Sequence, residues 1–224
     1  MLGSKVFSGI AAGALLLASV GSAGAQYAPP GPYAPGGYTS GYGLSYQPAR
    51  EATPDELLEQ GIDRTMDFMR KSGGGADLGE ILNFIDREIA VYFDFNYMAR
   101  LAAGPLVREV SDEQLTLVTQ RLREMFLSAL AQQLASYAFT HHKVTFYPAI
   151  RDSRSNDVTV TARITHPRGY PVKVTFRFHA TPDGWRVYDV AANNSSAVMF
   201  YRRQIAMIAQ RYGKDALFKG EACC

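Results

Sequence analysis

Residues 158–192, VTVTARITHPRGYPVKVTFRFHATPDGWRVYDVAA, decide the fold of this chain. Apolar and polar residues alternate in two runs, each with one apolar and one Thr-, Lys- or Arg-rich face, as half-buried β-strands require. Pro167-Arg168-Gly169 and Pro182-Asp183-Gly184 separate the runs as short turns, which predicts an antiparallel meander. The predicted inward residues are Val158, Val160, Ala162, Ile164, Val172, Val174, Phe176 and Phe178.

The same alternation, with a period of two residues, continues on both sides of this stretch. Upstream, Val144, Phe146 and Ile150 alternate before a turn at Ser155-Asn156-Asp157, which predicts the first strand. Downstream, the run from Trp185 to Ala192 predicts the fourth. The sequence therefore predicts a four-stranded antiparallel sheet with one apolar face.

Helical patterns flank the strands. Thr53-Pro54-Asp55-Glu56 is a capping box that opens a first helix, which ends at Ser72-Gly73-Gly74-Gly75. A second helix begins near Asp77, and the segment from Phe93 to Leu101 follows it. The predicted inward residues are Leu58, Ile62, Met66 and Met69 in the first helix, and Leu78, Ile81, Leu82, Ile85 and Ile89 in the second.

A longer helix begins at the capping box Ser111-Asp112-Glu113-Gln114 and runs to about Tyr137. Gln133 falls in the middle of its apolar face, either because that face leaves the core near the helix end or because the amide anchors a ligand at a pocket mouth. A last helix begins near Ser195 or Ser196 and ends at Gly213. The apolar faces are Leu115, Val118, Leu122, Met125, Phe126, Ala129, Leu130 and Tyr137, and then Ala197, Tyr201, Ile205, Ile208 and Tyr212.

The order of helices, meander and helix predicts an α+β fold, with a curved antiparallel sheet covered by helices on one face. The chain is rich in Phe, Tyr and Met, many of them on inward faces. Two interpretations fit this excess. It is an ordinary core, or the helices stand off a concave sheet and enclose a pocket for an apolar ligand.

The first 25 residues have the pattern of a secretory signal peptide. Lys5 precedes an apolar run from Val6 to Val20, and Ala23-Gly24-Ala25 is an A-x-A cleavage signal. The alternative, a membrane anchor, needs roughly 20 apolar residues, and this run is shorter. We therefore expect an exported protein.

Three further segments follow from composition. In residues 26–50, Pro, Gly and Tyr fill 15 of the 25 positions, which predicts a disordered tether or, alternatively, a surface-contacting segment. Residues 51–218 form one folded domain, and residues 219–224 form a tail that ends in Cys223-Cys224. The formal net charge of +2 argues against a nucleic-acid binder.

The sequence contains no specific catalytic motif. Asp94 and Asp189 are candidate carboxylates whose alternative role is to cap a turn or join an ion pair. His141, His142, His166 and His179 are scattered, without the converging ligands that a metal site needs. We therefore expect no enzyme activity, no metal and no cofactor.

Two segments resemble the MlaC family of periplasmic phospholipid-binding proteins, also called the toluene-tolerance auxiliary family. Phe93-Asp94-Phe95 followed by Met98-Ala99-Arg100 and Gly104 matches one family pattern. Trp185-Arg186-Val187-Tyr188-Asp189-Val190, then Ser196 and Tyr201-Arg202, matches a second. Residues 130–137 and 213–217 resemble two further family segments, and the four occur in the family's order. Where the family usually has a Gly-Val-Ser-Leu loop, this chain has Asn194-Ser195-Ser196-Ala197, and Asn tolerates the left-handed backbone that Gly supplies.

The resemblance implies an NTF2-like sheet with helices around a cavity for acyl chains. It also implies a monomeric periplasmic carrier of phospholipid, or of a hopanoid-type lipid. Its implied partners are an outer-membrane lipoprotein complex and an inner-membrane ABC transporter with its periplasmic lipid-binding subunit. The alternatives are an NTF2-like enzyme that uses Asp94, Asp189 or His179, and an envelope adaptor that binds through the tether.

The candidate lipid-binding residues come from the resembling segments and from the apolar faces of the predicted elements. They are Phe93, Met98, Leu101, Met125, Ala129, Gln133, Tyr137, Phe146, Val160, Ile164, Val174, Phe176, Val187, Tyr201 and Ile205.

Overall fold

The computed structural model describes residues 51–72, 75–137, 143–165 and 170–218. The predicted signal peptide, tether and C-terminal tail, together with His141, His142 and His166, lie outside this part of the chain. The α+β order of elements is confirmed. The elements are α1 (Pro54–Lys71), α2 (Leu78–Phe84), α3 (Phe95–Ala103), α4 (Asp112–Tyr137), β1 (Lys143–Arg151), β2 (Val158–Thr165), β3 (Val172–Thr181), β4 (Gly184–Ala192), β5 (Ser195–Ser196) and α5 (Ala197–Tyr212).

The sheet is antiparallel in the order β1-β2-β3-β4-β5, as a meander requires. The prediction of four strands was wrong by one, because the two-residue β5 is too short to show alternation. Asn193 and Asn194 turn the chain back with φ of 47° and 69°, a left-handed conformation that Asn tolerates. Ser195 and Ser196 then pair with the end of β4.

Two bulges change which side chains face inward. In β1 the register shifts between Tyr147 and Ile150, around Pro148, at the edge of the sheet, where Pro is tolerated. Ile150 is therefore 68% exposed, and its predicted inward position was wrong. A second shift, in the β3–β4 pairing, falls between Arg177 and Phe178.

Capping fixes the helix starts that the sequence predicted. Thr53 and Glu56 form the capping box of α1, and Ser111 and Gln114 exchange the equivalent hydrogen bonds at α4. The second predicted helix is not continuous, because α2 passes into a π-helical turn, Ile85–Ile89, and then a 3₁₀ turn. Leu78, its first helical residue, is 44% exposed, so its predicted inward position was wrong.

The buried face of α4 moves round the helix. Leu115, Val118, Leu122 and Phe126 are buried in the first half, whereas Leu127, Ala131 and Leu134 are buried in the second. At 100° per residue these two sets differ by more than 90°. The single predicted stripe was therefore wrong beyond Phe126, and Met125 is 40% exposed. In the same way, Tyr212 at the end of α5 is exposed, contrary to the prediction.

The buried apolar residues form two clusters. The helix core joins α2, the π-helical turn, α3, α4 and α5. The sheet core joins the inward face of β1–β4 to Leu58, Ile62 and Met66 of α1. Phe93 and Val190 pack against both clusters, so they mark the boundary between them.

Candidate functional site

An apolar cleft lies where the helix core meets the sheet core. The space in it, including open solvent at its mouth, is about 570 Å³. Helix α1 forms one wall, β3 and β4 form the opposite wall, and the π-helical turn and α4 also contribute to the lining. The lining residues are Leu57, Leu58, Gly61, Ile62, Ile89, Tyr92, Phe93, Phe126, Leu130, Phe176, Phe178, Val187 and Val190.

The α1 wall follows from the apolar stripe of that helix. Leu58 and Ile62, one turn apart, face the sheet, and Gly61 lies so close to Tyr92 that a Cβ atom there would be in van der Waals contact with the tyrosine ring. Thr65 is fully buried, and its hydroxyl donates a hydrogen bond of 2.8 Å to the Gly61 carbonyl. Arg64 forms an ion pair of 2.8 Å with Glu88, which connects α1 to the π-helical turn that contributes Ile89 to the lining.

The sheet wall depends on the β3–β4 bulge. The extra residue in β4 lets Val187 and Val190 line the cleft together, although they are three positions apart. Beside Val187, the backbone N–H of Asp94 donates to the Val187 carbonyl at 2.9 Å. This bond places Phe93 in the cleft wall, next to the edge of β4.

Aromatic rings pack at the boundary between the two cores. The ring of Phe93 lies 5.6 Å from that of Phe95 and 5.0 Å from that of Phe126, measured between centroids. Phe95 and Phe126 meet edge to face at 5.9 Å. These contacts stabilise the lining without adding a polar group.

The lining contains almost no polar side-chain atoms. Of the thirteen described lining residues, none carries a charge, and Tyr92 alone has a polar atom in its side chain. A hydrocarbon gains free energy in such a site by leaving water. A charged substrate or a metal ion finds no partner there. The cleft is therefore suited to binding an apolar ligand.

The structure separates the predicted site residues into groups. Phe93, Phe176 and Val187 line the cleft. Met125, Ala129 and Gln133 are not among the lining residues, and the side chain of Tyr137 is outside the described part. The others pack in the two cores: Phe146, Val160, Ile164 and Val174 in the sheet core, and Met98, Leu101, Tyr201 and Ile205 in the helix core.

The sequence analysis missed the contribution of α1 and the segment before α3. It predicted only that Leu58, Ile62 and Ile89 face inward, and it gave no role to Leu57, Gly61 or Tyr92. One signal was available: Gly61 interrupts an otherwise well-formed helix, and an interior glycine often has a packing or functional reason.

The candidate carboxylates have structural roles. Asp94 accepts the Tyr97 N–H at 2.8 Å as the N-cap of α3, and its other oxygen lies 3.1 Å from His179 Nε2. His179 stacks on Tyr97 with ring centroids 4.4 Å apart. The interpretation of Asp94 as a cap is confirmed, and neither Asp94 nor His179 is among the described lining residues of the cleft.

Asp189 is 1% exposed and joins β4 to α5. It accepts hydrogen bonds from the Ser196 hydroxyl at 2.7 Å, the Val198 N–H at 3.1 Å and Arg177 at 3.1 Å. The neighbouring Tyr188 phenol donates to Asp157 at 2.9 Å, and burial together with this bond raises the pKa of Tyr188. The carboxylate of Asp189 therefore fixes the start of α5.

Within the described residues, no group of three or more His, Cys, Asp or Glu side chains is placed to hold a metal ion. In the same part of the chain, no helix has the length and apolar character needed to cross a bilayer.

Comparison with known proteins assigns the family. The model of the MlaC protein family matches residues 59–220, which include all the described lining residues of the cleft except Leu57 and Leu58. This chain belongs to the MlaC family. The resemblance seen in its sequence motifs is thus confirmed, and the cleft is a feature of an MlaC protein. A search of curated proteins finds no match.

A solved structure has the same fold. It is the phospholipid-binding protein from Ralstonia solanacearum, determined in complex with a phospholipid. The two chains are 22% identical and superpose with a TM-score of 0.62, covering 75% of this chain and 93% of the other. At this identity the match shows a shared architecture.

Proposed function

We propose that this protein is a periplasmic lipid carrier that binds phospholipid acyl chains in the cleft between α1 and the sheet. The observation that carries the proposal is the lining of the cleft: thirteen residues, none of them charged. Membership of the MlaC family and the fold shared with a phospholipid-binding protein support it.

The physical need for such a carrier is clear. Each methylene of an acyl chain costs about 0.8 kcal/mol to leave in water, so a lipid crosses an aqueous gap slowly without a protein. A cleft that covers the chain removes most of this barrier. Binding of this kind needs no catalytic group, which agrees with the structural roles of Asp94 and Asp189.

The wider role follows from the family. We propose that the carrier is exported, acts as a monomer, and moves lipid between an outer-membrane lipoprotein complex and an inner-membrane ABC transporter with its periplasmic lipid-binding subunit. We also propose that sheet and helices form an NTF2-like cup around the lipid. A hopanoid-type lipid is the alternative cargo, because an apolar lining accepts a fused-ring hydrocarbon as well as an acyl chain.

The test is to identify what the protein carries. Protein purified after export is extracted with organic solvent, and the lipids are identified by mass spectrometry. Delipidated protein is then offered vesicles that contain phosphatidylglycerol. We expect diacyl phospholipid in the extract and uptake from the vesicles. Protein that neither contains lipid nor takes it up would rule out the proposal.

A matched pair of variants locates the binding surface. Leu57→Glu puts a charge into the cleft at a half-buried position, whereas Thr175→Glu puts the same charge next to Phe176 on the other face of β3. We expect only Leu57→Glu to reduce uptake, by at least about tenfold, because one buried uncompensated charge outweighs 1.4 kcal/mol. An equal loss in both variants would mean that the lipid does not bind between α1 and the sheet.

A further inference from the structure

Two cations face each other on the side of the sheet that is turned away from the cleft. Arg163 of β2 and Lys173 of β3 are directly opposite in the antiparallel register, and both side chains are exposed. Their neighbours Ala162 and Ile164 are buried on the inward side, so the two cations lie on the outer face. Side chains in such a pair are about 5 Å apart at Cβ, where like charges repel and destabilise a sheet.

The surroundings do not neutralise this pair. Among the described residues, neither cation forms an ion pair with a carboxylate. On β1, the uncharged Thr145 lies opposite Arg163. The next outward pair along the strands is Thr161 with Thr175, whose hydroxyl oxygens are 3.3 Å apart in a hydrogen bond. The same face thus accommodates a favourable pair, and the stability of the sheet gives no reason for two cations beside it.

The backbone holds the start of β3 in a fixed position. The N–H of Lys173 donates to Asn193 Oδ1 at 3.1 Å, and the N–H of Asn193 donates to the Lys173 carbonyl at 2.8 Å. These two bonds connect β3 to the turn between β4 and β5. The lysine therefore extends into solvent from an anchored strand.

An exposed aromatic residue lies near the two cations. Tyr170 is 94% exposed, and at most about 10 Å of extended chain separates it from Lys173. A tyrosine combines an apolar ring with a polar hydroxyl, and it is enriched at the boundary between a bilayer and water. Two cations next to such a ring match a layer of phosphates with hydrocarbon beneath it.

We propose that Arg163, Tyr170 and Lys173, here called the hairpin patch, dock the protein onto an anionic phospholipid bilayer. The guanidinium and the ammonium donate to lipid phosphate oxygens, and the tyrosine ring lies among the headgroups. An acidic protein would pair with the two cations, but the exposed tyrosine favours the bilayer. The inference goes beyond the proposed function, because docking is measured separately from lipid in the cleft.

Docking through so small a patch is weak and reversible. Each basic side chain near an anionic surface raises the affinity roughly fivefold. Stable anchoring needs stronger signals than these, so the protein leaves the bilayer again, as a carrier must.

The experiment measures co-sedimentation of the full-length exported protein with vesicles. Phosphatidylglycerol vesicles are compared with phosphatidylcholine vesicles, in salt of about 0.01 M and about 1 M, where the Debye length falls from about 30 Å to about 3 Å. We expect binding to phosphatidylglycerol at low salt, loss of that binding at high salt, and little binding to phosphatidylcholine.

A charge reversal in the patch is compared with the same reversal at the other end of β2. Arg163→Glu should reduce binding to phosphatidylglycerol roughly 25-fold, about fivefold for the lost cation and as much again for the new anion. Its melting temperature should not fall, because the new carboxylate faces Lys173. Arg154→Glu, at an exposed position between β1 and β2, changes the net charge equally and should keep most of the binding.

A second pair of variants tests the aromatic part of the patch. Tyr170→Ala should lower binding at low salt but leave its salt dependence unchanged, because the ring carries no charge. Tyr212→Ala removes another exposed tyrosine, 59% exposed at the end of α5, and should have no effect.

The outcomes decide the inference separately from the proposed function. Wild type that does not bind phosphatidylglycerol vesicles at low salt overturns it, and an acidic protein would then be the partner of the two cations. Equal losses in Arg163→Glu and Arg154→Glu also overturn it, since net charge alone would explain them. If Arg163→Glu does not fold, Lys173→Gln replaces it, with an expected loss of roughly fivefold. Protein that sediments as expected but carries no lipid contradicts the proposed function and leaves the docking inference in place.

Discussion

The helix core and the sheet core bury similar kinds of residues but pack differently. In the helix core, Met98, Ala99, Ala102 and Ala131 are completely buried, and small side chains let α3 and α4 approach closely. In the sheet core, α1 packs against the sheet near β2 but leaves the cleft between itself and β3 and β4. One half of the domain is closed, and the other is left open along one helix.

This difference assigns separate tasks to the two halves. Close packing without voids stabilises a fold, and each cavity left in it reduces stability. An open, apolar cleft therefore lowers the stability of the fold. A binding function explains why the domain has one. The helix core supplies stability, and the incomplete contact between α1 and the sheet supplies the proposed binding site.

The largest expected contrast lies within α4, which contributes to both regions. Leu122 is 1% exposed in the helix core, whereas Leu130 is half-buried and lines the cleft. Leu122→Ala should lower the free energy of unfolding by about 3 kcal/mol, because the closed core cannot refill the cavity. Leu130→Ala should lower it by about 1 kcal/mol or less, because part of that surface already faces open space.

Urea denaturation of both variants measures these free energies of unfolding. A vesicle assay measures how much lipid each variant takes up. We expect Leu130→Ala to change uptake more than Leu122→Ala does. Equal losses of stability would mean that the cleft end of α4 is packed as closely as the helix core.

A smaller contrast compares two carboxylates at the starts of helices. Asp189→Ala should lower the free energy of unfolding by about 2 kcal/mol, because the buried Ser196 hydroxyl and Val198 N–H lose their acceptor. Asp94→Ala removes the N-cap of the partly exposed start of α3 and should lower it by about 1 kcal/mol. Thermal and urea unfolding test the order, and a larger effect at Asp94 would contradict it.

Asp94 should also differ from Asp189 in its effect on binding. The cap that the Asp94 side chain gives to α3 lies directly after Phe93 of the cleft wall, whereas Asp189 holds α5, which contributes none of the described lining residues. Loss of the Asp94 cap should therefore reduce lipid uptake at temperatures where the variant remains folded.

Local signals in the sequence predicted most of the fold. Alternation predicted β2 and β3 with their inward faces, and capping boxes predicted where α1 and α4 begin. The prediction failed where tertiary contacts determine which side chains face inward. Ile150 is turned outward by a bulge, and the buried face of α4 rotates along the length of the helix.

The cleft was harder to predict from the sequence than the fold was. Periodicity identifies which face of an element is buried, but it does not show whether the buried faces touch. Leu58 and Ile62 have the same pattern in a closed core and in the wall of a cleft. Phe93, Phe176 and Val187 were found because their faces or motifs had been assigned, whereas Tyr92 carried no signal of its own.

The most direct test of the account places a fluorescent reporter in each region. In a Trp185→Phe background, one variant has Phe176→Trp in the cleft, and the other has Phe84→Trp in the helix core, where Phe84 stacks on Phe68 with centroids 4.2 Å apart. Each delipidated variant is loaded with phosphatidylglycerol whose acyl chains are brominated, since bromine quenches tryptophan on close contact. The account predicts strong quenching in the Phe176→Trp variant and little in the Phe84→Trp variant. Equal quenching, or stronger quenching from position 84, would show that acyl chains do not bind between α1 and the sheet.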